Sequence, residues 1–170
     1  MDQIYTHKSG AELWQGNIHD VNKLIRKGNS LIKVIGLFAQ ECQPNDPYGH
    51  YELIKMGYDD NTRAGNLEMK RILSIAVEAA NIFSNRIREG KSCLSSCYMG
   101  LNRSGLVSAL TLIKLANMSP DEAITMIQNK REPQHGMTAL CNPRFVNAIR
   151  NVSNTIGSKS TYTEWYSKHR

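Results

Sequence analysis

Short apolar runs recur along the chain and predict β-strands. The clearest covers residues 31–39, "LIKVIGLFA", which is apolar almost throughout and rich in β-branched residues, as in a strand buried on both faces. Segments 11–17, 50–56 and 91–96 have a similar character. The segment 40–49 holds two prolines with Asn, Asp and Gly, which indicates a loop. The pattern therefore predicts four strands divided by polar connections.

Apolar residues also recur at helical spacing between and after these strands. The longest such pattern covers 66–90 and ends at Gly90. A capping box opens another helix, with Ser119 as the N-cap, Pro120 at the first helical position and Glu122 three residues after the cap. Further helices are predicted at 18–28, 104–117 and 143–156.

The alternation of strands and helices favours an α/β fold with a central, mainly parallel twisted sheet flanked by helices. We expect one domain over 1–156, followed by a basic tail at 157–170 with three aromatic residues. In such sheets ligands bind at the carboxyl ends of the strands. The residues that follow each predicted strand are therefore the first candidates for a functional site.

Composition narrows the classes of function. The chain has a formal net charge of +6, but its Lys and Arg residues are scattered and form no nucleic-acid-binding stripe. No apolar run could cross a bilayer and the first ten residues lack the apolar region of a secretion signal, so we expect a cytoplasmic location. The four cysteines form no CxxC pair with clustered histidines, so we expect no metal site and interpret most of them as buried free thiols.

The stretch "SSCYMGLNRSG", residues 95–105, follows a predicted strand and opens a predicted helix. Backbone N–H groups of a tight loop, reinforced by the helix N-terminus, form an anion-binding nest. Arg103 can grip two oxygens of a phosphate, and Gly100 lets the loop bend. The same positive field stabilises a thiolate at Cys97, which could attack a bound phosphoryl group. The spacing therefore predicts phosphate chemistry, although a bare Cys-x5-Arg match is weak by itself.

A phosphatase also needs a general acid for the leaving oxygen. The loop "MGYDDNTRAG" offers Asp59 and Asp60 between a predicted strand and the long helix. That loop lies at the same sheet edge as Cys97 if its strand is parallel to 91–96. Spacing alone leaves open a solvated turn with no catalytic role.

These segments together resemble the dual-specificity protein phosphatases of the cysteine-dependent tyrosine phosphatase superfamily, in particular its compact, poxvirus-like members. The resemblance covers roughly residues 11–150. It rests on "ELWQGN", "LIKVIGLFAQECQP", "YELIKMGYDDNTRAGNL", "DEAITMIQNKREP" and "NPRFVNAI", and most of all on "SCYMGLNRSG". The last segment matches the family's His-Cys-x5-Arg-Ser-Gly motif at every defining position but the first. The resemblance implies a cysteine-dependent phosphatase that needs neither metal nor cofactor.

The resemblance also implies a role for each site residue. Cys97 would be the nucleophile, Ser104 would hydrogen-bond the thiolate and help it leave, and Asp60, with Asp59 as the alternative, would be the general acid. Asn102 would brace the loop. The phosphate would be bound by the Arg103 side chain and by the backbone amides of Tyr98, Met99, Gly100, Leu101, Asn102 and Arg103.

Ser96 is the departure from the family motif, which has a histidine at that position. The histidine ring helps to form the thiolate through a hydrogen-bond network. Serine offers one weaker, neutral hydrogen bond instead. We therefore expect the Cys97 thiolate to form less readily than in typical members and the enzyme to be slower.

Three readings of the activity remain open at this level. The favoured one is hydrolysis of phosphotyrosine in proteins, with phosphoserine and phosphothreonine as further substrates, so the expected partner is a phosphorylated protein and not a membrane. The first alternative is a weakly active or inactive phosphate-binding relative. The second is an RNA 5′-triphosphatase of the same superfamily, the only reading in which nucleic acid is a partner. Oligomeric state is not indicated by the sequence.

Overall fold

A computed structural model describes residues 1–155 of the chain, so the predicted tail at 157–170 lies outside the described residues. Within 1–155 the chain forms five strands and five helices. The strands are β1 Asp2–Thr6, β2 Glu12–Asn17, β3 Ile32–Ala39, β4 Glu52–Tyr58 and β5 Ser92–Cys97. The helices are α1 Ile18–Lys27, α2 Asn66–Arg88, α3 Arg103–Ala116, α4 Pro120–Lys130 and α5 Pro143–Thr155.

The five strands form one sheet in the order β1-β2-β5-β3-β4. β1 pairs with β2 in the antiparallel direction, and the other neighbours are parallel. The α/β fold with a mainly parallel sheet is thus confirmed. β5 is central, between β2 and β3, and all six of its residues are buried. The carboxyl ends of β2, β3, β4 and β5 consequently meet at one edge of the sheet.

The two faces of the sheet are covered unequally. On one face the buried side chains of α1, among them Val21 and Leu24, pack on Ile35 and Leu94 of the central strands. The larger core lies on the other face, where α2, α3, α4 and α5 pack around residues such as Phe83. Within residues 1–155, one short helix therefore lies on one face and four helices lie on the other.

The predicted elements agree with the observed ones to within two residues at most ends. The capping box that opens α4 is present, with the Ser119 hydroxyl accepting from the Glu122 amide. The sequence pattern missed β1, because "DQIYT" is mostly polar and only Ile4 of this edge strand is buried. No helix among the described residues is long and apolar enough to span a membrane.

Candidate active site

Cys97 is the last residue of β5 and lies at the carboxyl edge of the sheet, with only 4% of its surface exposed. Its Sγ is 3.4 Å from the Oγ of Ser104, in the first turn of α3. Arg103 is the first residue of that helix and is 6% exposed. We call the segment from the last residue of β5 to the first residue of α3 the 97–103 loop. As the sequence predicts, it connects a strand to a helix and begins at Cys97.

The carbonyl groups of this loop point away from Cys97. Those of residues 98–101 each accept a hydrogen bond from a donor behind the loop. The donors are the backbone amides of Ile18 and Leu140 and the side chains of Gln15 and Arg131. Because the C=O and N–H groups of a trans peptide point in opposite directions, the amides of residues 99–102 face the inside of the loop. We call the amide side the inner face and the carbonyl side the outer face.

Two buried side chains fix the outer face. The Nε2 of Gln15 donates to the Gly100 carbonyl at 2.9 Å, and the Nε of Arg131 donates to the same oxygen at 3.0 Å. Arg131 also forms an ion pair with Asp2 of β1, so the edge strand contributes to holding the loop. The polar edge strand β1 therefore helps to position the 97–103 loop through Arg131.

Gly100 is required at the tip of this loop by geometry. Its φ is +70°, in the left-handed region that favours glycine. A Cβ at this position would also lie 2.4 Å from the carbonyl oxygen of Gly16 in β2. The loop is therefore seated directly on the end of the neighbouring strand.

The Arg103 guanidinium reaches across the site to the loop that follows β3. Its Nη1 and Nη2 donate to the two carboxylate oxygens of Glu41 at 2.7 and 2.6 Å. Burial alone would lower the pKa of Arg103, but the hydrogen bond to Glu41 and the nearby Cys97 sulfur raise it. The guanidinium is therefore cationic and held in one orientation. Glu41 has no motif around it, and sequence reasoning missed it.

Asp60, and not Asp59, lies against the 97–103 loop. Its Oδ2 accepts from the side-chain amide of Asn102 at 3.0 Å, and its Oδ1 accepts from that of Asn142 at 2.7 Å. The Asp59 carboxylate instead accepts from the amide of Asp60 and lines a separate pocket against α2. The structure thus brings one of the two candidate acids to the loop.

Both amide orientations in this network follow from backbone donors. The Oδ1 of Asn102 accepts from the Asn142 backbone amide, and the Oδ1 of Asn142 accepts from that of Arg144, each at 3.0 Å. Each side-chain NH₂ group must therefore face Asp60. The loop that contains Asp60, the 97–103 loop and the start of α5 are therefore joined by hydrogen bonds.

Among the described residues, the Ser96 hydroxyl makes no hydrogen bond with the Cys97 sulfur. Its hydroxyl donates to the carbonyl of Gly36 in β3 at 2.6 Å, and the residue is 1% exposed.

Tyr58, at the end of β4, donates to the Arg103 carbonyl at 2.6 Å. Burial raises the pKa of Tyr58, so its hydroxyl stays neutral and serves as a fixed donor.

The four cysteines differ in burial more than the sequence indicated. All four are free thiols, and burial strongly raises the pKa of Cys93, which makes that thiol inert as a nucleophile. We expected most of them to be buried. Cys93 and Cys97 are buried and Cys42 is partly buried, but Cys141 is exposed and its thiol lies 3.5 Å from Asn102 Oδ1. Among residues 1–155, no three metal-ligating side chains come together.

Comparisons with known proteins agree with this architecture. No protein-family model matches the chain. Over 69 residues, 41% of this chain and 42% of the relative, it is 29% identical to a putative tyrosine-protein phosphatase of Amsacta moorei entomopoxvirus, so the match spans less than half of that relative.

Solved structures resemble nearly the whole chain. Human DUSP28 gives a TM-score of 0.69 at 16% identity, covering 92% of this chain and 97% of that one. OH1 from the Orf virus, a tyrosine phosphatase with triple substrate specificity, gives 0.63 at 16% identity, covering 88% and 83%. The chain therefore has the fold of the dual-specificity phosphatases of the cysteine-dependent tyrosine phosphatase superfamily.

Proposed function

We propose that the chain is a cysteine-dependent protein phosphatase that hydrolyses phosphotyrosine, with phosphoserine and phosphothreonine as further substrates, through a phosphocysteine intermediate. One observation carries the proposal: Cys97 begins a loop in which the carbonyls of residues 98–101 are all held on the outer face. Four inward amides, the helix N-terminus and Arg103 then surround a single tetrahedral anion beside the sulfur.

In the first step the Cys97 thiolate attacks phosphorus, and an S–P bond forms as the bond to the leaving oxygen breaks. Asp60 donates its proton to that oxygen. Charge on the three equatorial oxygens is stabilised by the loop amides and Arg103, which are already in place before the reaction.

In the second step water attacks phosphorus and passes its proton to the Asp60 carboxylate, and the S–P bond breaks. The thiolate is then the leaving group. Ser104, 3.4 Å from the sulfur, donates a hydrogen bond that stabilises the departing charge. No metal or cofactor takes part in either step.

The proposal places the substrate phosphate on a protein and not on RNA. The poxvirus relative and OH1 are both described as tyrosine phosphatases, which supports this choice. The RNA 5′-triphosphatase and the inactive phosphate-binding protein stay as alternatives with no observation that favours them.

The test is turnover of p-nitrophenyl phosphate, a phosphotyrosine peptide and a 5′-triphosphate RNA by the full chain. We expect hydrolysis of the first two and its loss in Cys97→Ser. Turnover of the RNA alone would support the triphosphatase. Binding of phosphate without turnover of any substrate would support the inactive relative.

A further inference from the structure

Large apolar side chains are exposed at both ends of the sheet within residues 1–155, but they are unevenly placed. Leu31 and Tyr48 precede β3 and β4, so they lie near the amino ends of these strands. The others lie in segments that meet at the carboxyl edge, beside the 97–103 loop, and we call them the apolar rim: Leu67, Tyr98 and Met137. A single exposed apolar residue needs no explanation, but several around one site mark a contact surface.

Tyr98 directly follows the nucleophile candidate. Its backbone is held, since its carbonyl accepts from the Ile18 amide at 3.2 Å, but the residue is 55% exposed. Consecutive Cα atoms are about 3.8 Å apart, so any molecule that presents a phosphoryl group to Cys97 lies within reach of the Tyr98 ring. An aromatic ring on a fixed backbone is a typical anchor for a partner, because it buries a large area at a small cost in conformational entropy.

Leu67 lies on the Asp60 side of the site. It is in the first turn of α2, directly after the loop that contains Asp60, and it is 84% exposed. Its neighbour Asn66 accepts a hydrogen bond from the Arg144 side chain at 3.4 Å. Arg144 lies two residues after Asn142, which donates to the Asp60 carboxylate. These contacts place Leu67 beside the candidate acid.

Met137 lies in the segment between α4 and α5, and it is also exposed. Gln134 and Met137 exchange two backbone hydrogen bonds, each at 3.0 Å, so Met137 is held in a closed turn. Three residues further on, the Leu140 amide donates to the Leu101 carbonyl at 3.3 Å. The turn that presents Met137 is therefore attached to the 97–103 loop.

Charged side chains beside the rim do not favour one kind of partner. Asp59 and Arg63 are both exposed in the loop before α2, and they carry opposite charges. The apolar rim is therefore the property by which the surface around the 97–103 loop can distinguish one phosphorylated segment from another.

We propose that the apolar rim selects phosphotyrosine segments in which the residues next to phosphotyrosine are large and apolar, and that Tyr98 is the main specificity-determining residue. Phosphotyrosine carries its phosphorus at the far end of an aromatic ring. With the phosphate in the 97–103 loop, the flanking residues lie outside the loop, at the level of the rim. The proposal deepens the proposed function and rests on it for the substrate, but peptide binding tests the rim separately.

The first experiment compares three phosphotyrosine peptides that differ only in the residue on each side of phosphotyrosine, which is Leu, Ser or Glu. We expect the full chain to hydrolyse the Leu peptide with a kcat/KM about tenfold above that of the Ser peptide, because only leucine gains from leaving water. Equal values for the Leu and Ser peptides, or the highest value for the Glu peptide, would overturn the proposal.

Tyr98→Ser and Tyr48→Ser form a matched pair, because Tyr48 is 66% exposed but lies before β4, away from the site. The readout is the ratio of kcat/KM for the Leu and Ser peptides within each variant, since a change in the chemistry common to both peptides cancels. We expect Tyr98→Ser to bring the ratio to within about twofold of one, and Tyr48→Ser to keep the wild-type ratio. An unchanged ratio in Tyr98→Ser, or an equal fall in both variants, would overturn the proposal.

Leu67→Ser and Met137→Ser test the rest of the rim, with Leu31→Ser as the control. We expect each rim variant to lower the ratio about two- to threefold, since residues around an anchor contribute less than the anchor does. Turnover of p-nitrophenyl phosphate should stay unchanged in all three variants, because these side chains take no part in the chemistry. A wild-type ratio in both rim variants would overturn the apolar rim as a selecting surface.

Calorimetric titration of the Leu and Ser peptides into Cys97→Ser covers the case in which the chain is not an enzyme. Tighter binding of the Leu peptide supports the proposal even if the wild type turns over no substrate, an outcome that would remove the proposed function alone. Equal affinities overturn the proposal, whatever the activity of the wild type.

Discussion

The two faces of the 97–103 loop are built from different kinds of group. The outer face is saturated: each carbonyl of residues 98–101 has a donor behind it, contributed by distant parts of the chain. The inner face holds the buried Cys97 sulfur and the Arg103 Nε–H, which has no acceptor among the described residues. The difference shows how the site is built: hydrogen bonds that hold the carbonyls on the outer face leave N–H donors without acceptors on the inner face. Changes to the inner face should therefore affect chemistry, and changes to the outer face should affect stability first.

Arg103→Lys gives the largest expected effect, because it removes the paired donors that the inner face offers to a phosphate. Lysine keeps the charge but loses the paired donors, so we expect kcat/KM for p-nitrophenyl phosphate to fall about 10³-fold. The Tm should change by only a few degrees, since Glu41 is half exposed and can be solvated. A loss of activity accompanied by a large fall in Tm would contradict the expectation that changes to the inner face affect chemistry before stability.

Asp60→Asn tests whether the acid belongs to the inner face. We expect kcat for a phosphotyrosine peptide to fall about 10²-fold, and much less for p-nitrophenyl phosphate, whose leaving group needs little protonation. Asp59→Asn is the matched control, because among the described residues the Asp59 carboxylate makes no hydrogen bond to the 97–103 loop, whereas that of Asp60 does. An equal loss in both variants, or a loss independent of the leaving group, would remove Asp60 from the acid role.

Arg131→Met acts on the outer face. It breaks the ion pair of the buried Arg131 with Asp2, and it removes the donor to the Met99 carbonyl and one of the two donors to the Gly100 carbonyl. We therefore expect chemical denaturation to show a loss of about 2–3 kcal/mol. The loop then loses part of its shape, and kcat/KM should fall about tenfold. An unchanged kcat/KM in a destabilised variant would mean that the outer face does not shape the inner one.

Ser96→Ala gives the smallest expected effect. Its hydroxyl is bonded to Gly36 and not to the sulfur, so the loss is one buried hydrogen bond of about 1 kcal/mol. We expect kcat/KM to stay within about twofold of the wild type, because a single neutral bond that does not touch the reacting atoms contributes little. A large drop in activity at an unchanged Tm would show that Ser96 acts on the thiolate after all.

Sequence reasoning predicted the inner face well, because its residues are local. Cys97, Arg103 and Ser104 follow one another within eight positions, and a strand before and a helix after them were readable from hydrophobic patterning. Their catalytic and binding roles stay predictions. The Asp60 loop could be placed at the same edge only through the expected parallel direction of β4, which the sheet has.

The outer face could not be predicted, because its partners meet the loop only in the folded chain. Gln15 donates to the Gly100 carbonyl, which is 85 positions away in the sequence. The residues that flank Gln15 do not distinguish it from any other polar residue in a strand. Arg131 lies in the segment "DEAITMIQNKREP" of the resemblance, but its ion pair with Asp2 depends on an edge strand that the polar pattern did not predict. Glu41 was hidden for the same reason, in a loop that looked only like a turn.

The bond from the Ile18 amide to the Tyr98 carbonyl ties the loop to the first residue of α1. Among the described residues α1 is the only helix on its face of the sheet, and its capping box at Asn17 and Asp20 sits beside the loop. Local unfolding of α1 would release one of the carbonyls that turn the amides inward. Hydrogen exchange at Ile18 therefore reports on the order of the loop, and the free energy of opening α1 limits how firmly the loop can hold an anion.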